Sequence, residues 1–456
     1  MAENEAAVEE IELDDDRVEA IRAAVEAGDR ALVLGLVGPL HAADIADFLE
    51  QIDASERQEF LALYSGEIDG DLLSEIDETI REEVIESLPA EVVAEAVRDL
   101  DTDDVVDILE DLEASAQGRI LDALDVADRV AVEQAMAYPE GSAGRLMQRE
   151  VVVAPEHWTV GEAIDFLRGA EALPDQFYHV ILVDPRMRPL GYVTLGRILS
   201  ARREVALKNL TEESFRTVEA TEEEEEVAYI FNQYHLISCP VVDAGGRLVG
   251  VITIDDAMNV LDEEHEEDML RLAGVGEEAS VLDGPLATVR QRLPWLVVNL
   301  FTASISAFVI SRFEATITAI VALAALMPIV ASTGGIAGTQ SLAVAVRALA
   351  TRDLTAANAR RVVLRELAAG AINGLALAAI IGLAGWAIFG DPWIGGVLAM
   401  AMVVNQIVAA LGGVLVPLTL ERLGLDPALA SGTFVTTLTD VMGFLAFLGL
   451  ATLVLL

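Results

Sequence analysis

Cysteine, lysine and histidine are nearly missing from this chain of 456 residues. The one cysteine, Cys239, excludes a disulfide framework and any cluster of thiolate metal ligands. The five histidines, His41, His157, His179, His235 and His265, lack ligand spacing. Lysine occurs once, as Lys208, and arginine carries the remaining positive charge. No basic stripe is offered to phosphates, so nucleic acid is excluded as a partner. The N-terminus lacks a basic-then-apolar leader, since its first residues are acidic. The N-terminal half is therefore expected in the cytoplasm. No phosphate loop and no nucleophile–base arrangement is present, and an enzyme is not expected.

What the chain does have is acid and apolar surface. It holds 76 Asp and Glu against 29 Lys and Arg, yet 53% of its residues are hydrophobic. A division at Gly284 separates the two. Residues 285–456 carry seven acids and nine arginines, a net of +2; residues 1–284 carry the other 69 acids and 20 bases, a net of −49. A single soluble domain is ruled out.

Five apolar stretches follow Gly284: 293–311, 315–346, 367–390, 392–420 and 427–456, the last interrupted only by Asp440. Each reaches the ~20 residues that a membrane-spanning helix needs. Arg290 and Arg292 precede the first stretch, and Arg347, Arg352, Arg360, Arg361 and Arg365 lie between the second and third. Arg422 lies between the fourth and fifth. By the positive-inside rule the N-terminus is inside and the C-terminus outside. The second stretch contains Pro328 with Gly334, Gly335 and Gly338, which suits either broken, cavity-lining helix or close small-residue packing. Asp440 has no basic residue within the stretches to pair with, and Thr436, Thr437 and Thr439 flank it. Counted from Pro427 it lies ~20 Å along a helix, near mid-membrane. An intramembrane carboxylate is a functional residue by default, and a cation or proton is its simplest partner. The plainer alternative is an Asp capping a short re-entrant break.

Residues 1–135 read as helical, with an internal repeat. His41-Ala-Ala-Asp44-Ile-Ala-Asp47-Phe-Leu49-Glu50 aligns with Asp101-Thr-Asp-Asp104-Val-Val-Asp107-Ile-Leu109-Glu110, and Pro89-Ala-Glu91 begins a weaker echo. Stacked helical hairpins in a superhelix are expected. After the linker 138–144 the pattern changes to strand–helix–strand–strand, twice. The first copy places strands at 151–153, 179–183 and 190–194 with a helix at 160–167. The second places strands at 217–219, 239–242 and 248–253 with a helix at 222–233. The copies end in Gly191-Tyr-Val-Thr194 and Gly250-Val-Ile-Thr253, and the arrangement resembles paired CBS domains. In many such domains Thr-x-x-Asp holds a nucleotide ribose. Thr253 and Asp256 retain that pair, whereas Arg197 replaces the acid in the first copy. The resemblance makes Thr253 and Asp256 a candidate ATP contact, while spacing alone equally allows Asp256 to cap the next helix.

An acid run, 262–268, places Asp262 with Glu266, Glu263 with Glu267 and Glu264 with Asp268 at i,i+4. Such like-charge pairs oppose helix formation. A solvated acidic face is the plain reading. The run also joins the CBS-like pair to the first apolar stretch. Hard divalent cations take oxygen ligands, and Mg2+ binds through one or two carboxylates while keeping waters. Asp103, Asp104 and Asp107 of the helical repeats, Asp255 and Asp256 of the second copy, and Asp262, Glu264, Glu267 and Asp268 of the run are therefore candidate regulatory metal ligands. They would repel one another without cations and close together with them.

Over its whole length the chain resembles the MgtE family of magnesium channels. The specific matches are Pro328-Ile-Val-Ala-Ser-Thr-Gly-Gly-Ile-Ala-Gly-Thr-Gln340, Arg347-Ala-Leu-Ala-Thr-Arg-Asp353 and Asp426-Pro-Ala-Leu-Ala-Ser-Gly-Thr-Phe-Val-Thr-Thr-Leu-Thr-Asp440. The resemblance implies a multidomain membrane protein: an all-α superhelical N domain (1–137, with roughly the first 15 residues disordered), two α/β CBS domains (138–203 and 204–261), a connecting plug helix (262–285) and an all-α five-helix transmembrane domain (286–456). It further implies a homodimer in the inner membrane whose pore, lined by the second and fifth spans, passes Mg2+ at Asp440. Cytosolic Mg2+ bound between the N, CBS and plug elements would close it, and ATP modulates some members. Ile336 stands where the family usually has Asn, which bears on ion selectivity, and Asn259 and Gln233 stand where some relatives carry regulatory acids. Two alternatives remain: a transporter of another divalent cation such as Co2+, and a membrane-anchored Mg2+ or nucleotide sensor that does not conduct.

Overall fold

The computed structural model describes residues 13–456 apart from 111, 171, 172, 175, 213, 214, 277, 278, 283, 430 and 431. Most of the N-terminal stretch expected to be disordered lies outside the described residues. The chain divides into two compact units, Met1–Asp262 and Glu263–Leu456.

Much of the acidity of the first unit begins helices. Asp14, Asp29, Asp53, Asp69 and Asp77 each accept a hydrogen bond from a backbone N–H of the helix they precede. Asp53 with Glu56, and His41 with Asp44, close reciprocal capping boxes. The repeat read from the sequence is a repeated helical hairpin. Helices Ala42–Gln51 and Ala54–Tyr64 recur as Thr102–Glu110 and Ala114–Ala123. Ile45, Phe48 and Leu49 are buried at the positions where Val105, Ile108 and Leu109 are buried in the second copy. Their i, i+3, i+4 spacing puts each trio on one helix face, in one continuous apolar core.

The α/β segment forms two three-stranded sheets. The first contains β1 (Val153–Pro155), β2 (His179–Val183) and β3 (Pro189–Thr194); the second contains β4 (Val218–Glu219), β5 (Ser238–Val242) and β6 (Leu248–Thr253). In each, the first pair is parallel and the second antiparallel. Helices Val160–Gly169 and Glu224–Tyr234 make the parallel crossovers. β1 lies two residues beyond the expected 151–153. Its register is set by pairing with β2, Val153 opposite Ile181, and Pro155 ends it because proline has no N–H to donate. His179 and Ser238 open the equivalent strands β2 and β5, and their side chains meet at 2.5 Å. Helix Ile254–Ala273 follows β6 without a break.

Among the described residues of the second unit, five helices are long and apolar enough to cross a membrane: span 1 (Pro285–Ser311), span 2 (Ala322–Ala350), span 3 (Ala359–Phe389), span 4 (Pro392–Arg422) and span 5 (Gly432–Leu455). Spans 3 and 4 turn at Gly390, which takes φ +70°, a left-handed cap that favours glycine. Asp391 then accepts from Trp393 N and starts span 4. The two helices pack through small residues. A Cβ on Gly395 would lie 2.5 Å from the carbonyl of Gly382, an approach open only to residues without side chains. Span 4 is the most enclosed of the five, with 56% of its apolar window buried; span 1 is the least, at 11%.

Candidate functional site

Span 5 positions Asp440. Asp426 accepts from Ala428 N at 2.8 Å and caps a single 3-10 turn, Pro427–Leu429. The helix proper begins at Gly432. Asp440 lies ~12 Å beyond Gly432 at 1.5 Å per residue. Its half-buried carboxylate takes no hydrogen bond and no ion pair from any described residue. The neighbouring threonines spend their hydroxyl protons on their own helix, while each oxygen keeps acceptor lone pairs. Thr436 and Thr437 hydroxyls donate to the carbonyl of Thr433, and the Thr439 hydroxyl donates to that of Thr436. Threonine in an apolar helix satisfies its hydroxyl on the preceding turn.

Span 2 passes Pro328 and its glycines as one helix, so these residues serve packing rather than a break. A Cβ on Gly338 would lie 2.6 Å from Val435 Cγ1, and one on Gly335 would lie 3.3 Å from Thr436 Cγ2. The pairing runs antiparallel, and Asp440 follows one turn after Thr436. Ile336 points off this seam and is 58% exposed.

Sequence reasoning missed two residues of span 4. Asn405 is fully buried, and its Nδ2 donates to the carbonyl of Val330 at 2.8 Å. Gln406 Nε2 donates to the carbonyl of Thr333 at 3.2 Å. The available signal was two adjacent amides in an otherwise uncharged apolar run.

A second cluster lies within the first unit. Helix Thr102–Glu110 carries Asp103, Asp104 and Asp107, and the start of helix Ile254–Ala273 carries Asp255 and Asp256. These acids share one electrostatic environment. Burial, then Asp256, Asp104 and Asp101, push the Asp103 carboxyl well above the usual carboxylate range. Asp104 is pushed up to about 7 by burial, then by Asp256, Asp101, Asp107 and Asp255. Asp256 is pushed up to about 6, chiefly by burial, against a hydrogen bond from Thr253. Glu224 is raised by burial and then by Glu110 and Asp107. Each acid makes its neighbours harder to ionise.

Some carboxylates in this region are already engaged. Asp107 pairs with Arg81 at 2.9 Å, and Arg81 is itself buried. Asp256 accepts from the Thr253 hydroxyl at 2.6 Å and so closes the start of its own helix. In the first CBS-like copy Arg197 pairs with Glu212 at 2.8 Å. In the second unit Glu267 pairs with Arg271, which also reaches Asp426. Glu264 and Asp268 have partners too, and Asp262 is exposed. Among the described residues no group of three or more His, Cys, Asp or Glu side chains converges as a metal site. The acids of the first unit are thus neighbours in field without being a preformed cage. That suits a hydrated ion held through one or two carboxylates better than a dehydrated one.

Three family profiles match in the order of the elements. The intracellular N domain of MgtE matches 40–141, CBS domains match 143–204 and 207–263, and the MgtE divalent cation transporter matches 327–450. The magnesium transporter MgtE of Thermus thermophilus is 36% identical over 334 residues, 73% of this chain and 74% of that one. The chain belongs to the MgtE family. The Bacillus subtilis magnesium transporter MgtE is 30% identical over 72% of this chain and 73% of its own length. Among solved structures, the cytosolic domain of the Mg2+ channel MgtE in complex with ATP is 27% identical, with a TM-score of 0.49, over 53% of this chain and 99% of that one. With five long apolar helices in its second unit, this family member is a multi-pass membrane protein.

Proposed function

We propose that the chain conducts Mg2+ across the membrane along a pathway that passes Asp440. One observation carries the reading: Asp440 stands half-buried on a membrane helix, beside the glycine face of span 2, with no partner for its charge among the described residues. An unpaired carboxylate in that setting is costly unless a cation or water reaches it. The names of the relatives supply the ion, Mg2+. A membrane potential drives a divalent cation inward with about 4.6 kcal/mol per 100 mV. Hydrated Mg2+ needs carboxylate oxygens rather than a full cage, which one Asp440 from each half of a homodimer would supply.

Regulation belongs to the same reading. Asp103, Asp104, Asp255 and Asp256 would bind cytosolic Mg2+ and close the pathway as their repulsion is neutralised. Asp107, Asp262, Glu264, Glu267 and Asp268 would contribute as their present partners allow. ATP would bind at Thr253 and Asp256, whose mutual hydrogen bond leaves the other carboxylate oxygen to accept from a ribose hydroxyl. By the positive-inside rule the arginines between spans 2 and 3 support a topology in which these acids would lie in the cytoplasm and the C-terminus outside. A broader divalent preference that includes Co2+ is the second reading, favoured by the apolar, exposed Ile336.

Mg2+ uptake into proteoliposomes, with Asp440→Ala beside the wild type and Mg2+ titrated on the cytoplasmic face, tests the whole scheme. Uptake lost in the variant and shut off by cytoplasmic Mg2+ is expected. Equal uptake by both proteins would refute the role of Asp440, and indifference to cytoplasmic Mg2+ would refute the role of the acids. Ligand binding without uptake would leave a sensor.

A further inference from the structure

We propose that Asn405 is a positioning residue that sets the separation of spans 2 and 5 beside Asp440, and through it the flux and ion preference of the pathway. This rests on the reading that Asp440 lines that pathway. The Asn405 carboxamide is wedged between two glycines on different helices. A Cβ on Gly334 of span 2 would overlap Nδ2, and a Cβ on Gly443 of span 5 would lie 2.9 Å from Nδ2 and 3.1 Å from Oδ1. Gly443 lies three residues beyond Asp440, on the same helix face. The amide therefore occupies the gap between the glycine face of span 2 and the Asp440 face of span 5.

Its hydrogen bonding argues for a geometric role rather than a stabilising one. Nδ2 donates to the Val330 carbonyl, while Oδ1 is buried and accepts from no described residue. A buried unpaired acceptor is unfavourable, and a leucine of similar volume would fill the space without one. Leucine cannot hold a backbone carbonyl at hydrogen-bond distance. Gln406, the next residue, holds the Thr333 carbonyl in the same way. Two consecutive amides on span 4 thus grip the carbonyls of Val330 and Thr333, both in the turn of span 2 that precedes Gly334. Span 4 is the most enclosed helix of the bundle, which makes it a fixed post for span 2. Pore selectivity depends on diameter and on the groups that line it, and Asn405 governs the first without touching the ion.

The test uses the full chain in proteoliposomes, measuring maximal Mg2+ uptake, half-saturating Mg2+, the Mg2+ to Co2+ uptake ratio, and the cytoplasmic Mg2+ that halves uptake. Wild type, Asp440→Ala, Asn405→Leu, Gly334→Ala and the double variant Gly334→Ala with Asn405→Ala are compared. Asn405→Leu is expected to lower maximal uptake about tenfold and shift the ion ratio at least about threefold, with closure by cytoplasmic Mg2+ unchanged. Gly334→Ala is expected to match it, because its methyl displaces the amide. The double variant relieves that overlap, so it should regain thermal stability without regaining the ion ratio. A folded Asn405→Leu protein with wild-type rate and ratio would overturn the inference. If Asn405→Leu does not fold, a wild-type ratio in the double variant overturns it equally. A wild type that takes up Mg2+ no better than Asp440→Ala would remove the reading beneath it, whatever the Asn405 variants do.

Discussion

Asp104→Asn removes a carboxylate that the folded protein holds at about 7, against an ordinary 3.8. A carboxyl with a raised folded value binds its proton more tightly than it does in the unfolded chain. The stability carried by that proton is complete below about pH 4 and is lost as the pH climbs through about 7. At about 1.36 kcal/mol per pH unit, the full displacement corresponds to ~4 kcal/mol. Asp103 and Asp256 share the same field, so about half, ~2 kcal/mol, is assigned to Asp104 alone. Asparagine keeps the shape and never ionises. In Mg2+-free buffer at pH 8 the variant is therefore expected to unfold ~4–8 °C above the wild type. At about pH 3, below the ordinary 3.8, the two should unfold within about 1 °C of each other. Added Mg2+ should reverse the order at pH 8, because saturation at 100 times the dissociation constant stabilises the wild type by ~2.7 kcal/mol and the variant by less. Thermal unfolding of the purified full chain, followed by circular dichroism at both pH values with EDTA or Mg2+, reads all three effects. A variant less stable than wild type at pH 8 without Mg2+ would refute the mutual repulsion assigned to these acids.

Arg81→Met breaks the pair with Asp107, so the apo protein should lose ~1–2 kcal/mol, with the loss shrinking as Mg2+ replaces the missing charge; a Mg2+-independent loss would make Arg81 a packing residue only, and denaturant titration distinguishes the two. Gly395→Ala forces a methyl to within 2.5 Å of the Gly382 carbonyl, and should lower stability in detergent by ~1–3 kcal/mol without altering residual ion preference. Cys239 is fully buried, and burial pushes its thiol up to about 12. Native protein should thus resist thiol reagents at pH 8 and react fully in urea, which absorbance with a chromogenic disulfide measures.

The Asp440 reading shows where sequence stops. Its position in an apolar stretch and its lack of a basic partner were legible, because charge and hydropathy are properties of the residues themselves. That the hydroxyls of the threonines around it donate to the preceding turn of their own helix was not legible in the residues alone. The glycines of span 2 left two readings open until the side chains facing them were known.

By itself, then, the sequence determined the five spans, the sixty-residue helical repeat and the doubled strand–helix–strand–strand order. Each follows from transfer energy or local periodicity, which act over a few neighbouring residues. The caps are equally local, since an Asp before a helix needs only the next turn to act on, but they were recognised in the structure. Tertiary structure alone decided that Asp103 and Asp104 share a field with Asp256, that Arg81 holds Asp107, and that Asn405 lies between Gly334 and Gly443. These depend on which distant segments exclude water together. Burial and the fields of charges far apart in the chain are set by packing, and sequence spacing carries no record of it.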